Sequence, residues 1–476
     1  MQSPSSAPQK LDIAILGAGE SGTGAALLAH AKGLSVFVSD AGTIAPKYKA
    51  QLQAASIAFE EGQHTEATIL SAREIIKSPG IAPNTDLIRA AFRSRIPVMD
   101  ELEFAGRYAK GKRICITGSN GKTTTTLLIY HILKAAGYSV GLAGNIGTSM
   151  AAQLVTTDHD FWVLEVSSFQ LDGMPTFQKD VAIILNITPD HLDRYNHDFD
   201  QYIASKAQMF DNLSEEGLAI GMADSGPVQD LLDALDESDE DTYVLCFGTT
   251  GFLLDARMEG EELIARCQDA TLHIPASSIS IKGAHNHLNA MAASLAALYY
   301  GVPVPTLAAA LGTFANAPHR LEEVGYLNFV RFINDSKATN LDSVRYAFSA
   351  VPEPTIWIAG GKDKGNDYAT VLPHVQANVK ALICLTKYPE PLLATFEGVV
   401  PTHVVATMAE AVHLAFSLAL PGYAVLLSPA CASFDLFKNY EDRGDQFRAE
   451  VLQLIAAHGS IATAQTQANT QAKTNA

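Results

Sequence analysis

Short apolar runs rich in Val, Ile and Leu alternate with longer stretches in which apolar residues return every three or four positions. The short runs have the length of buried strands and the longer ones that of amphipathic helices, so the pattern predicts an α/β architecture with parallel sheets. No internal repeat of fixed period is apparent. Three strand–loop–helix starts stand out: residues 11–16 lead into GAGESG, 113–117 into GSNGKT, and 355–359 into GGKDKG. Each puts a glycine-rich loop at the carboxyl end of a strand, where open α/β sheets bind ligands. They predict three α/β domains, 1–100, 101–317 and 318–463, with joints near 97–101 and 316–318. The acidic stretch 233–243 reads as a solvated loop. Residues 464–476, AQTQANTQAKTNA, have almost no large apolar side chains and are expected to form a disordered tail.

Composition narrows the function. The chain has 476 residues, 47% hydrophobic and 18% charged, a globular balance over several domains. Acidic residues number 51 against 33 basic ones, a net charge of −18. That field repels phosphates, so nucleic acid and anionic membranes are excluded as general partners, and an anionic ligand needs local devices such as helix N-termini and single lysines. Five cysteines lie far apart with no C-x-x-C pair, as expected of reduced cytoplasmic thiols. No apolar stretch reaches the roughly 20 residues of a membrane span, and MQSPSSAPQK lacks the layout of a signal peptide. A soluble cytoplasmic protein is expected.

The first loop, Gly17, Gly19 and Gly22 with Asp40 ending the next strand, fits a dinucleotide fingerprint, another diphosphate such as a UDP-sugar, or a tight turn without ligand. The second is more specific. In GSNGKTT, Gly118, Ser119, Asn120, Gly121, Lys122, Thr123 and Thr124 form a shortened phosphate loop before a helix with the stripe Leu127, Leu128, Ile132 and Leu133. Backbone amides there can wrap phosphates, Lys122 can neutralise them, and the Thr123 hydroxyl can reach Mg²⁺. Glu165 stands near the carboxyl end of one strand and His191 just beyond another, and those ends should face the same crevice, which favours a metal site.

Lys206 lies among Tyr202, Ile203, Met209 and Phe210 on a helical stripe. The chain pattern favours a lysine that snorkels its head to the edge; a buried one would have a lowered pKa and could take up CO₂ as a carbamate. Toward the carboxyl terminus, Asn286 and Asn289 share a helix face, Arg320 sits at the second joint, and Asp335, Lys337, Thr339, Lys364 and Ser433 collect at strand ends. Such cations and hydroxyls suit a small dicarboxylate.

The order GSNGKTT, EVSSFQL, NITPDHLDRY, SKAQMF, GAHNHLNA, HRLE, NDSKATN and SPACASFDLFKNYEDRG resembles the Mur ligases, from the first glycine loop to about residue 450. NDSKATN together with SPACASFD is most similar to the member that adds D-glutamate. The resemblance implies a Rossmann-like N-terminal domain for the UDP moiety, a central P-loop ATPase-like domain with a parallel sheet for ATP and Mg²⁺, and a Rossmann-like C-terminal domain for D-glutamate. It implies a cytoplasmic, monomeric ligase of peptidoglycan synthesis whose substrates are ATP, D-glutamate and UDP-N-acetylmuramoyl-L-alanine. Lys122, Glu165, His191 and Lys206 would be catalytic. Thr123, Glu165, His191 and a carbamylated Lys206 would hold Mg²⁺. ATP would meet residues 118–124, Asn286, Asn289, Arg320 and Asp335. Ser21, Gly22, Asp40, Ser78, Gly80 and Asn145 would meet the UDP-sugar, and Lys337, Thr339, Lys364, Ser433 and Tyr440 the D-glutamate. Ala41-Gly42 and Tyr440 depart from the family's usual Thr-Arg and Phe. The alternatives are another Mur ligase, an amide ligase like folylpolyglutamate synthase, an NAD-dependent oxidoreductase, or a non-catalytic ATP-binding switch.

Overall fold

The computed structural model describes residues 11–474 except 239–241, 252 and 364, with side chains described up to 458 apart from Asp193 and Ser238. Contacts divide the chain into two compact units, 1–315 and 316–476. The first unit contains two sheets where two domains were expected.

The first sheet is built from β1 (Ile13–Leu16), β2 (Val36–Asp40), β3 (Ala58–Glu61), β4 (Glu74–Lys77) and β5 (Val98–Met99). Its order is β3-β2-β1-β4-β5, all parallel, so the chain reverses direction across the sheet at β1. Ligands bind at the carboxyl ends of strands beside such a switch. The helix Glu20–Ala31 covers β1 with small residues, Ala25, Ala26 and Ala29, so it lies close to the sheet.

The second sheet follows after the short helix Glu101–Gly106. It comprises β6 (Lys112–Thr117), β7 (Val140–Gly144), β8 (Phe161–Glu165), β9 (Lys179–Ile184), β10 (Leu213–Met222), β11 (Tyr243–Phe247), β12 (Ala256–Glu259), β13 (Glu262–Cys267) and β14 (Ala270–Pro275). Its order is β14-β13-β12-β11-β10-β9-β6-β8-β7. The expected parallel sheet is present from β7 to β12, and an antiparallel extension, β12 to β14, was not foreseen. The helix Lys122–Ala135 buries Leu128, Ile129, Ile132 and Leu133 in one core with the Ala-rich helix Ala284–Tyr299. Leu127 is only partly buried and Ile129 takes its place in the stripe. A second core joins the two sheets: Ile15 and Leu28 from the first pack in one cluster with Phe104, Met150 and Trp162.

The second unit carries β15 (Glu322–Leu327), β16 (Val330–Asn334), β17 (Thr355–Ala359), β18 (Val379–Leu385), β19 (Thr402–Val405) and β20 (Ala424–Leu427). Their order is β15-β16-β20-β17-β18-β19, parallel except for the β15–β16 hairpin edge. The acidic stretch read as a loop is helical over its first half, within Gly226–Ser238, because Val228 and Leu232 supply an apolar face that packs in the core shared by the first two sheets. The last helix is Tyr440–Thr474, so the backbone of most of the expected tail is helical; its side chains lie outside the described residues.

Candidate active site

β6 delivers the second glycine loop. Gly121 caps the following helix at φ 84°, a left-handed conformation in which a side chain would be strained, and a Cβ there would stand 2.4 Å from Asn289 Oδ1. The loop is braced from the segment after β9. Asn120 N donates to Asn186 Oδ1 at 2.8 Å, Ser119 N to Asn186 O at 2.8 Å, and Ser119 Oγ to Thr188 O at 2.8 Å. Asn289 accepts from Thr125 Oγ1 at 3.2 Å and donates to Asn286 Oδ1 at 3.2 Å, so both asparagines stand beside the loop.

Two lysines converge on one carbonyl. Lys122 Nζ donates to Gly118 O at 2.6 Å and Ser119 O at 2.9 Å. Lys206 Nζ, from the helix Phe199–Ala207, reaches the same Gly118 O at 3.0 Å and Thr117 Oγ1 at 3.2 Å. Lys206 is 1% exposed and lies over the Tyr202 ring at 4.9 Å. The snorkelling expected from the chain pattern is therefore overturned. The head turns inward, over the Tyr202 ring, because the loop carbonyl and Thr117 Oγ1 offer it acceptors. Burial holds its pKa well below the usual lysine value, and the charge of Lys122 lowers it further.

Glu165, at the end of β8, is buried and bonded on both oxygens: Thr123 Oγ1 donates to one at 2.6 Å and Asn145 Nδ2 to the other at 2.8 Å. This hydroxyl–carboxylate pair offers the hard oxygen donors that Mg²⁺ takes together with nucleotide phosphates and water. His191 is half-exposed in a left-handed turn at φ 53°, with Asp190 Oδ2 3.6 Å away and the Phe169 ring edge-on at 5.2 Å. Among the described residues no group of three His, Cys, Asp or Glu is placed to hold a metal by itself. Thr123 and Glu165 offer an oxygen pair that fits a nucleotide-borne Mg²⁺.

Residues of the first and second sheets' domains together line a cavity of about 220 Å³, with Glu20, Ser21, Pro79, Asn145, Ser149 and Gln170 among its walls. It brings together Ser21 and Asn145, two of the residues expected at the UDP-sugar. Gly17 leaves no room for a side chain: a Cβ would meet Ser78 Oγ at 2.4 Å. Gly22 likewise packs on the Gly17 carbonyl. Asp40 accepts from Ala18 N at 2.7 Å and Gly42 N at 2.8 Å, so its carboxylate ties the first glycine loop to the turn after β2.

In the second unit, Asp335, Lys337 and Ser433 gather at the carboxyl ends of the neighbouring strands β16 and β20. Asp335 accepts from Ser428 Oγ at 2.9 Å and Leu321 N at 3.2 Å, and burial pushes its carboxyl up to about 7 despite the nearby Arg320. The Lys337 ammonium lies over the Tyr440 ring at 5.1 Å. Thr339 is half-buried and Ser433 buried. Lys364 lies outside the described residues. The buried Arg443, which the sequence reading passed over, ties three strand ends together through Ser336 O at 2.8 Å, Cys431 O at 3.1 Å and Gly360 O at 3.3 Å. Asn186, Gln170 and Arg443 were also missed as site residues. All three lie in or beside the motif strings, but an amide or a guanidinium has no chemistry of its own to single it out.

A phosphate loop at the carboxyl end of β6, two lysines on one loop carbonyl and an oxygen pair suited to Mg²⁺ define an ATP-using α/β enzyme. Family profiles match in three blocks: "Mur ligase MurD-like, N-terminal domain" over 11–100, "Mur ligase middle domain" over 116–297, and "Mur ligase, glutamate ligase domain" over 319–431. UDP-N-acetylmuramoylalanine–D-glutamate ligase of Porphyromonas gingivalis is 48% identical over 94% of this chain and 99% of its own length. The enzyme of the same name from Cytophaga hutchinsonii is 46% identical over 93% and 99%. The structure of UDP-N-acetylmuramate-alanine ligase from Thermotoga maritima shares the fold at 18% identity, with TM-score 0.59 over 94% of this chain and 100% of that one. The chain belongs to the Mur ligase family, whose members are ATP-dependent, generally Mg²⁺-requiring, amide-bond-forming ligases.

Proposed function

We propose that this chain joins D-glutamate to UDP-N-acetylmuramoyl-L-alanine at the expense of ATP, through an acyl phosphate, as a cytoplasmic step of peptidoglycan synthesis. The observation that carries the reading is the convergence of Lys122 and Lys206 on Gly118 O, beside the Thr123–Glu165 pair. The relatives that bear this activity in their names match the chain along nearly its whole length.

A carboxylate is a poor electrophile, and its attack on a γ-phosphate brings two anions together. Lys122 now spends its charge on loop carbonyls and would turn it onto the triphosphate, where the charge spreads as the phosphoryl group transfers. Mg²⁺, held by Thr123 and Glu165, would supply further charge neutralisation. Lys206 is assigned to the same centre as a carbamate. Its lowered pKa favours the free amine that adds CO₂ with loss of a proton, and the product places beside Lys122 an anion that attracts it. The muramoyl-L-alanine carboxylate forms the new P–O bond and ADP departs. The D-glutamate amine, having shed its proton to His191 or to phosphate, then displaces phosphate to form the amide.

Ser21, Gly22, Asp40, Ser78, Gly80 and Asn145 are assigned to the UDP-sugar, with the cavity at Ser21 and Asn145 as support. Asn286, Asn289, Arg320 and Asp335 are assigned to ATP, and Lys337, Thr339, Lys364, Ser433 and Tyr440 to D-glutamate. A monomer in the cytoplasm goes with the reading; among the described residues no helix is long and apolar enough to cross a membrane. Purified protein given Mg²⁺, ATP and the UDP-sugar should release ADP and lengthen the UDP-peptide with D-glutamate, and not with L-alanine or diaminopimelate. Equal turnover of all three amines would remove the D-glutamate assignment.

A further inference from the structure

The motif NITPDHLDRY contributes Asn186 and His191 to the site, but its arginine has been given no part. Arg194 ends the 3-10 turn Leu192–Arg194 that follows His191, in the domain of the second sheet. Its guanidinium reaches back to the first sheet, where Nη2 donates to Pro79 O at 3.3 Å and Nη1 to Gly80 O at 3.4 Å. The guanidinium also lies over the Phe169 ring, with Cζ 4.2 Å from the centroid. On its edge, that ring meets His191. A planar fork on two successive carbonyls, seated on an aromatic face, is an arrangement that arginine makes and lysine does not.

The loop so gripped is residues 78–80, which follows β4. Pro79 lines the 220 Å³ cavity together with Ser21 and Asn145. On its other side the loop meets the first glycine turn, since Ser78 Oγ stands where a Gly17 side chain would be. The loop is therefore held between Gly17 and Arg194, with the cavity at its side. Two backbone carbonyls are turned to the guanidinium, which keeps their negative ends engaged beside a site for an anionic ligand. In a chain of net charge −18 that matters, because an unengaged carbonyl pair would add to the repulsion.

We propose that Arg194 is a positioning residue for the nucleotide-sugar substrate, its fork clamping the 78–80 loop against the first glycine turn and so shaping the cavity at Ser21 and Asn145. The inference rests on the reading that the UDP-sugar binds there. Because Arg194 belongs to the turn of His191 and shares Phe169 with it, the clamp also ties the substrate loop to the catalytic turn.

The test uses full-length wild type, Arg194→Ala and Arg194→Lys, with KM measured separately for the UDP-sugar, ATP and D-glutamate, alongside direct titration with the UDP-sugar and melting temperatures. Arg194→Ala is expected to weaken UDP-sugar binding about tenfold, as for the loss of charge-assisted hydrogen bonds. KM for ATP should stay near wild type. Arg194→Lys should recover only part of the loss, because it keeps the charge without the fork. Unchanged UDP-sugar affinity in Arg194→Ala, full recovery by lysine, or equal weakening toward ATP with a lowered melting temperature would each overturn the clamp. A wild type that binds the UDP-sugar yet forms no product would sink the proposed reaction instead, and the titration would still decide the clamp.

Discussion

Residues at this site are defined by what they share. Lys122 and Lys206 share one carbonyl, and Thr123 and Asn145 share one carboxylate. Lys122→Ala should lower kcat by about 10²-fold or more, since its charge acts on a developing phosphoryl charge; single-turnover ADP release would measure it, and near-normal rates would remove the phosphate-loop assignment. Lys206→Ala should be severely impaired and partly restored by short carboxylic acids that fit the vacated space. Isotope-labelled bicarbonate should give a carbamate resonance in the wild type and none in the variant, a readout independent of turnover. Absence of that resonance in active wild type would return Lys206 to a purely structural role. The motifs made Lys122, Glu165 and His191 legible in the sequence. They left Lys206 ambiguous, because helical spacing places a lysine on an apolar stripe without saying whether an acceptor waits inside.

At the scale of elements, the joint between the first two sheets is held by acids. The helix Glu101–Gly106 begins at Asp100, whose carboxylate caps it at Leu102 N. Buried Glu101 accepts from Ser149 Oγ at 2.7 Å and Ala151 N at 2.6 Å, pinning that helix to the start of Met150–Leu154. Burial pushes the Glu101 carboxyl up to about 6 from an ordinary 4.5, against the pull of those two hydrogen bonds. A raised carboxyl pKa means that the folded state holds the proton more tightly. This contribution to stability is complete below pH 4.5 and is lost as pH rises to about 6. Glu101→Gln keeps an acceptor oxygen and has no proton to lose, so its melting temperature should gain on the wild type across that window and then hold its lead. Glu101→Ala abandons both donors and should cost about 1–3 kcal/mol by denaturant titration. Gln gaining nothing between those pH values would show that the carboxyl is not strained by burial. Alternating patterns revealed the strands and the main helices, but such short joining helices have too few turns to display a period.

For the whole molecule, the charge of −18 opposes every substrate, since all are anions. The cations that counter it are few and local: Lys206 is buried, and the fork of Arg194 is engaged by two loop carbonyls. Raising ionic strength from about 0.01 to 0.15 M should therefore raise kcat/KM for the UDP-sugar by roughly two- to threefold, as the long-range repulsion is screened while short contacts persist. Stopped-flow or steady-state assays at fixed Mg²⁺ would measure this; a steep fall with salt would mean that exposed surface cations dominate binding.

The sequence by itself determined the α/β class, the three strand–loop–helix starts and the phosphate loop, because these are local: they depend on apolar period and on glycine, lysine and threonine at adjacent positions. It also carried the acid that ends β8 and the histidine that follows β9, since parallel strands turn their carboxyl ends the same way. Tertiary structure alone decided that the first two sheets share one core, that β12 to β14 extend the second sheet in antiparallel sense, and that Lys206 points inward. It alone brought Arg194 onto a loop more than a hundred positions earlier in the chain. Such pairings depend on which faces meet when the sheets pack, and that is a property of the assembled surfaces, not of any short stretch of residues.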